Sequence, residues 1–153
     1  MQPKDEYAKF SKKFKGTPSW DWLNKNFKIK IEEDGTLLEQ IRGSITEKLD
    51  TIARSVLEPI ISGGENFCCF YERGMLAPQE KDKMFQIYKQ MQSLLWRSNA
   101  LSVDFSEKAA ADWLKEVKDV YDANKEQLLG LCNKISNGWK NYKRAGGDTA
   151  YHG

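Results

Sequence analysis

The sequence predicts an all-α fold, an elongated bundle of three long helices with short N-terminal helices in front of them. Three stretches of the 153-residue chain repeat apolar residues every three or four positions, which is the period of one helix face. They cover residues 36–61, 78–101 and 106–142. Chain length predicts one helical domain over residues 1–145, and the glycine-rich composition predicts a flexible tail at 146–153.

The first long helix has a clear start and an interrupted end. Thr36 and Glu39 have the spacing of a capping box, in which each side chain satisfies a backbone N–H group of the other residue. The predicted core seam consists of Leu38, Ile41, Ile45, Leu49, Ile52, Val56 and Ile60. Pro59 lacks an N–H group, so we expect a kink or an end there, followed by a break at Gly63-Gly64.

The other two long helices carry longer seams. The second begins at or near Pro78, and its seam is Met84, Ile87, Met91, Leu94, Ser98 and Leu101. We expect Phe85, Tyr88 and Leu95 to widen that buried stripe. The third begins after a cap at Asp104 or Ser106. Its seam is Ala110, Trp113, Val117, Val120, Asn124, Leu128, Leu131, Ile135, Trp139 and Tyr142.

The N-terminal third is predicted in shorter pieces. A helix within residues 3–15 would dock one aromatic face on the core, and Thr17-Pro18 would start a second helix over residues 18–26. Residues 27–32 alternate apolar and polar side chains, which indicates an extended segment and allows a short β segment. The apolar run at residues 67–71 favours a buried helical turn over a strand paired with 27–32.

Six residues are candidate interaction residues. The second half of the third helix needs a cover, which we expect from the N-terminal helices or from a second copy of the chain. Asn124 interrupts an apolar seam, so it either sets helix register or bonds a loop. The two indoles of Trp20-Asp21-Trp22 lie on different sides of a helix, so either both are core or one is left to a partner. The candidates are Trp20, Trp22, Asn124, Ile135, Trp139 and Tyr142.

Charge is distributed unevenly. Residues 1–30 carry a net charge of +5, residues 31–133 carry −6 and residues 134–153 carry +3. The favoured interpretation is that the basic ends lie against the acidic helices of the same fold. The alternative is a nucleic-acid-associated protein that uses phosphate contacts and aromatic stacking. The basic residues concerned are Lys9, Lys12, Lys13, Lys15, Lys140, Lys143 and Arg144.

Most catalytic chemistries lack their residues here. The only histidine, His152, lies in the tail, and no phosphate-binding loop or zinc spacing is present. We expect Cys68, Cys69 and Cys132 to be buried, reduced thiols of a cytoplasmic protein. Two acidic pairs, Glu47/Asp50 and Glu116/Asp119, lie on different helices. This resembles the paired acidic motifs that all-α nucleotide pyrophosphatases of the MazG type place opposite each other. Helix phase, however, puts only Glu116 beside the interior.

The sequence therefore predicts a non-enzymatic module without metal or cofactor, which binds a protein partner or itself. Its C-terminal helix is the predicted surface for self-association. Nucleic-acid association is the alternative, and a magnesium-dependent nucleotide hydrolase is the less favoured one. No apolar run is long enough for a transmembrane segment.

Overall fold

The computed structural model describes residues 1–62 and 64–143, and this part of the chain is helical with no strand. The all-α prediction is confirmed, and the three long helices begin and end within a few residues of their predicted bounds. The predicted tail at 146–153 lies outside the described residues. The helices are α1 (Pro3–Lys13), α2 (Trp20–Phe27), α3 (Leu37–Thr51), a π-helical segment (Ile52–Leu57), α4 (Glu58–Ile61), α5 (Phe67–Gly74), α6 (Pro78–Val103) and α7 (Glu107–Lys140).

Helices α3 and α6 run in opposite directions. Near the start of α3, Arg42 Nη1 donates a hydrogen bond to Ser102 Oγ near the end of α6, at 2.7 Å. In α4, Glu58 accepts from the Tyr88 hydroxyl near the start of α6, at 2.8 Å. These bonds join the two helices at both ends of their contact.

Helices α6 and α7 are also antiparallel. The Trp113 indole N–H donates to the Leu94 carbonyl at 2.9 Å, and Lys134 pairs with Glu80 at 2.7 Å. Helices α3 and α7 therefore run in the same direction. One hydrophobic core lies between the long helices, with Tyr7 of α1 and Leu23 of α2 among its members.

The predicted seam of α6 is confirmed residue by residue. Its six buried residues are Met84, Ile87, Met91, Leu94, Ser98 and Leu101. The predicted widening was wrong at Phe85, which is 47% exposed. Tyr88 and Leu95 are half-buried against the core. A neighbouring helix encloses one stripe of α6, and Phe85 lies beyond that stripe.

The seam of the first long helix changes register at the π-helical segment. Ile41, Ile45 and Leu49 are buried as predicted, but Ala53 and Leu57 then take the core positions, and Ile52 and Val56 remain half-buried. Within the segment, the Glu58 N–H bonds the carbonyl five residues earlier. The wider turn precedes Pro59, whose ring clashes with the carbonyl four residues back in a regular α-helix. The helix is therefore irregular near Pro59 as predicted, but the irregular turn lies before the proline and not at it.

Helix starts follow local hydrogen-bonding rules. The capping box at Thr36 is formed, with Thr36 N–H bonded to Glu39 and Glu39 N–H bonded to Thr36 Oγ1. Of the two predicted caps for α7, Ser106 accepts from the Ala109 N–H. The predicted start of α2 was wrong, because Ser19 caps it by accepting from the Trp22 N–H.

Pro18 precedes α2 as a buried residue, and its carbonyl accepts the Tyr7 hydroxyl at 2.5 Å. This bond ties α1 to the start of α2. Proline at this point therefore contributes an acceptor outside the helix, instead of occupying the first helical position.

The possible β segment at residues 27–32 is not formed. Lys28 adopts a left-handed conformation that ends α2. The Lys30 N–H then donates to Ser44 Oγ at 3.0 Å, and the Glu32 N–H to Gln40 Oε1 at 3.2 Å. Side chains of α3 thus satisfy the backbone groups that a partner strand would otherwise bond.

Residues 67–71 are helical as favoured, but the predicted burial was wrong, because α5 has no buried residue. The cover of α7 was also predicted wrongly. The N-terminal helices contact the near end of α7 (residues 107–125), and α5 contacts its far end and the residues just after it (residues 138–142). Chain connectivity explains the difference. The N-terminal helices precede the start of α3, and the start of α3 lies beside the start of α7. Helix α5 connects the end of α4 to the start of α6, which lies beside the end of α7.

Candidate interaction surfaces

The far end of α7 carries an aromatic cluster. The rings of Trp139 and Tyr71 have centroids 4.7 Å apart, and those of Tyr142 and Phe67 are 5.7 Å apart. The Trp139 indole N–H donates to Glu72 at 2.8 Å. Trp139 and Tyr142, two of the candidate interaction residues, therefore contact α5 of the same chain.

Two further contacts hold α5 on α7. The Tyr71 hydroxyl donates to the Gly138 carbonyl at 2.7 Å. A Cβ atom at Gly138 would lie 2.2 Å from the Met75 sulfur, so any larger residue would force the Met75 side chain to move. Ile135, another candidate interaction residue, is half-buried against the core. The seam that motivated self-association through α7 thus has a cover within the chain.

Both candidate tryptophans of α2 also pack internally. Trp20 lies against Tyr7, with ring centroids 5.8 Å apart. Trp22 meets the Tyr121 ring edge-on, and its indole N–H donates to Asp122 at 3.1 Å. Both indoles are half-buried, which favours the interpretation that both belong to the fold.

Asn124 bonds a neighbouring helix rather than a loop. Its buried side-chain amide donates to Gln90 Oε1 of α6 at 2.7 Å and to the Val120 carbonyl at 2.8 Å. Its polar atoms are thus used between α6 and α7 of one chain.

The outward side of α6 bears an apolar stripe that the sequence analysis missed. Phe85, Trp96 and Val103 are 47%, 69% and 89% exposed. At 100° per residue they lie within about 20° of one another around the helix, and they extend over about 27 Å. The signal was available as a second heptad spacing on α6, but the seam of buried residues concealed it.

This stripe borders a groove of about 600 Å³ between α3 and α6. Leu95, Trp96, Asn99 and Ser102 line the α6 side. On the α3 side, a Cβ atom at Gly43 would have no neighbour within 4 Å. We call the groove and the stripe together the α3–α6 face.

The two basic segments lie far apart. Lys9, Lys12, Lys13 and Lys15 are exposed on and after α1, and Lys13 pairs with Glu107 at 2.9 Å, at the first residue of α7. The exposed Lys140 and Lys143 lie at and beyond the last residue of the same 34-residue helix, about 50 Å away. They do not form one continuous basic surface. Arg144, the remaining candidate, lies outside the described residues.

Three of the four candidate magnesium carboxylates pair with basic side chains. Glu47 pairs with Lys30, Asp50 with Arg54, and Glu116 with Arg97. The exposed Asp119 has no carboxylate cluster around it: within residues 1–62 and 64–143, no three His, Cys, Asp or Glu side chains are grouped to hold a metal ion. His152 lies outside those residues.

The cysteines form no disulfide with one another, but their predicted burial was wrong. Cys68 and Cys132 are exposed and Cys69 is half-buried. Cys68 and Cys69 belong to α5, which is covered on one side only, and Cys132 lies on a part of α7 that faces solvent.

No helix in the described part of the chain has the length and apolar character that crossing a membrane requires. Comparisons of the chain with known protein families, with curated proteins and with solved structures gave no match.

Proposed function

We propose that this chain is a non-enzymatic protein-interaction module whose binding surface is the α3–α6 face. A helix of the partner protein would lie along the outer stripe of α6, with Trp96 as its central anchor. The observation that carries the proposal is the 69% exposure of Trp96 in the middle of that stripe. Tryptophan is among the residues that contribute most binding free energy at protein interfaces.

The spacing of the stripe suits a helical partner. Phe85, Trp96 and Val103 follow a heptad spacing on α6, with Lys89, Gln92 and Asn99 at the intervening positions. A partner helix packed at a small angle meets residues at this interval over several turns. Polar residues between apolar anchors fix the register of such a contact without making the face insoluble.

The groove beside the stripe supports close approach by a partner. Gly43 lies inside α3, where glycine costs about 1 kcal/mol relative to alanine. Among residues 1–62 and 64–143 no packing compensates for that cost, because the space above Gly43 is open. A partner backbone or side chain would fill this space, which gives the glycine a role in recognition.

Self-association would use the same face in this proposal. The long apolar seam predicted self-association at the far end of α7, but α5 covers that end. A variant at Ile135 is a poor reporter of self-association, since Ile135 packs against the chain's own core. Trp96 is the better reporter because its substitution removes no internal hydrogen bond.

Photo-crosslinking tests the proposal. A benzophenone-bearing amino acid replaces Trp96 in one protein and Phe70 in a matched control, since Phe70 is 70% exposed on α5. We expect a discrete adduct from position 96 alone, either with another protein or, as a species of twice 17.6 kDa, with a second copy. The captured partner is then purified and its affinity measured for each variant.

The expected loss on Trp96→Ala is about 2 kcal/mol or more, or roughly 30-fold in Kd, because a central anchor is removed. Phe70→Ala should leave Kd within about twofold. Unchanged affinity of Trp96→Ala, or the same adduct from both positions, would refute the α3–α6 face as the binding surface.

A further inference from the structure

Two lysines from different helices converge on one aromatic ring. Lys48 of α3 has its Nζ 5.3 Å from the centroid of Tyr121, and Lys125 of α7 has its Nζ 5.9 Å from the same centroid. Both donate to Asn26, Lys48 to the backbone carbonyl and Lys125 to the side-chain oxygen. Two half-buried cations therefore share one small region of the surface.

No carboxylate of the described residues pairs with either lysine. Lys118 shows the contrast on the same helix. It is also half-buried and lies 5.3 Å over the Trp22 ring, but its Nζ is 2.7 Å from Asp122. Asp122 is further engaged by the Trp22 indole. Positive charge at Lys48 and Lys125 is thus left without an acidic partner, and like charges at short range repel each other.

An apolar groove of about 250 Å³ extends from these lysines between α3 and α7. It shares two lining residues with a second cavity of about 290 Å³ that continues toward α4. The apolar residues of the first groove are Ile52, Val56, Leu128, Leu129 and Cys132. Leu129 is 54% exposed at the rim, so the groove opens to solvent.

The π-helical segment forms one wall of this groove. The register change there brings Ala53 and Leu57 into the core and leaves Ile52 and Val56 half-buried along the groove. A regular helix would have kept the predicted seam and turned these two side chains inward. The irregular helix thereby provides apolar surface next to the paired lysines, and π-helical turns are frequent at functional sites.

We propose that this groove binds a linear amphipathic carboxylate, a molecule of the fatty-acid class. The carboxylate lies between Lys48 and Lys125 and supplies the missing negative charge. The alkyl chain lies along Ile52, Val56 and Leu128. A ligand site of this kind combines an apolar lining with a few converging polar groups. It lies on the α7 side of α3, whereas the α3–α6 face lies on the other side, so the two proposals are independent.

Calorimetric titration with decanoate, below the concentration at which it forms micelles, tests the site. We expect saturable binding of one decanoate per chain, and at least tenfold weaker binding of decanol, which has the same chain without the charge. Lys48→Met and Lys125→Met keep most of the apolar side chain and remove the cation, so each should weaken decanoate binding at least tenfold. Lys118→Met is the matched control and should stay within about twofold of the wild type.

A second variant covers the case in which a lysine variant fails to fold. Leu129→Asp changes an exposed rim residue and places a carboxylate one helical turn after Lys125. It should abolish decanoate binding while circular dichroism stays unchanged. The proposal is overturned if decanoate does not bind saturably, if decanol binds equally well, or if Lys118→Met weakens binding as much as Lys48→Met and Lys125→Met.

Discussion

Two tryptophans of α7 each donate an indole hydrogen bond to a neighbouring helix, but their surroundings are very different. Trp113 donates to the Leu94 carbonyl at 2.9 Å and is 1% exposed. Trp139 donates to the Glu72 carboxylate at 2.8 Å and is half-buried. The long helices enclose Trp113, whereas the eight-residue α5 covers Trp139 from one side. The burial of a tryptophan on this helix therefore depends on the length of the neighbouring helices.

The largest effect should separate these two positions. Trp113→Ala opens a cavity in the enclosed core and should lower the free energy of unfolding by about 3–5 kcal/mol. Trp139→Ala removes a half-exposed ring and should cost about 1–2 kcal/mol. Urea unfolding followed by circular dichroism measures both. Equal losses would show that α5 encloses the far end as firmly as the long helices enclose the near end.

Tyr7 sharpens the comparison at the near end through pH. Its burial raises the pKa of its hydroxyl from 10.0 to about 12, and that hydroxyl donates to the Pro18 carbonyl. The folded state therefore holds this proton more tightly than the unfolded state. The contribution is complete below pH 10 and is lost as the pH rises through 12, by roughly 3 kcal/mol in total.

Urea midpoints between pH 9 and 12 check this expectation. Tyr7→Phe is the control, because it keeps the ring and removes the ionisable group. The wild type should lose stability with a steeper slope than the variant in this window. Parallel slopes would mean that Tyr7 remains accessible to water and that the near end is less enclosed than Trp113 indicates.

Asn124 lies between the two ends and should give an intermediate effect. Asn124→Ala removes two side-chain hydrogen bonds, one to Gln90 and one to the Val120 carbonyl, so we expect a loss of about 1–2 kcal/mol. A double-mutant cycle with Gln90→Ala should give a coupling free energy of about 0.5–1 kcal/mol. If the losses in unfolding free energy of the two single variants simply add, the bond between Asn124 and Gln90 does not hold α6 against α7.

Two glycines of α7 should give the smallest effects, a gain in stability at one position and no gain at the other. Gly130→Ala should stabilise by about 0.5–1 kcal/mol, since no atom lies within 4 Å of the added methyl group. Gly138→Ala should lose that gain, because the methyl group meets Met75 and loosens α5. Unfolding free energies and hydrogen exchange across α5 measure the pair. If both variants are equally stabilised and α5 remains protected, the contact at Gly138 is not tight.

Periodicity and capping determined much of the fold from sequence alone. The α6 seam, the Thr36 capping box and the approximate extents of the three long helices depend on residues within a few turns of one another, so the sequence contains the whole signal. The same local rules failed at residues 27–32. Their alternation fits a strand, but the side chains of Gln40 and Ser44 in α3 accept hydrogen bonds from the backbone N–H groups of this segment instead.

The candidate sites were decided almost entirely by tertiary structure. The sequence nominated Trp20, Trp22 and Trp139 as interaction residues, and each of them packs within the chain, whereas Trp96 is the exposed one. The sequence gives the residue type of a tryptophan and its position around the helix, and neither changes when a neighbouring helix covers the side chain. Which element covers it depends on the direction of each helix and on where the connections place α2 and α5.

The pairing of Lys48 with Lys125 was likewise invisible in the sequence, because 76 positions separate them and only the parallel arrangement of α3 and α7 brings them to one ring. Sequence thus determined which segments are helical and where most of them begin. Packing decided which faces remain open, because exposure is a property of the space between helices and is not a property of any one of them.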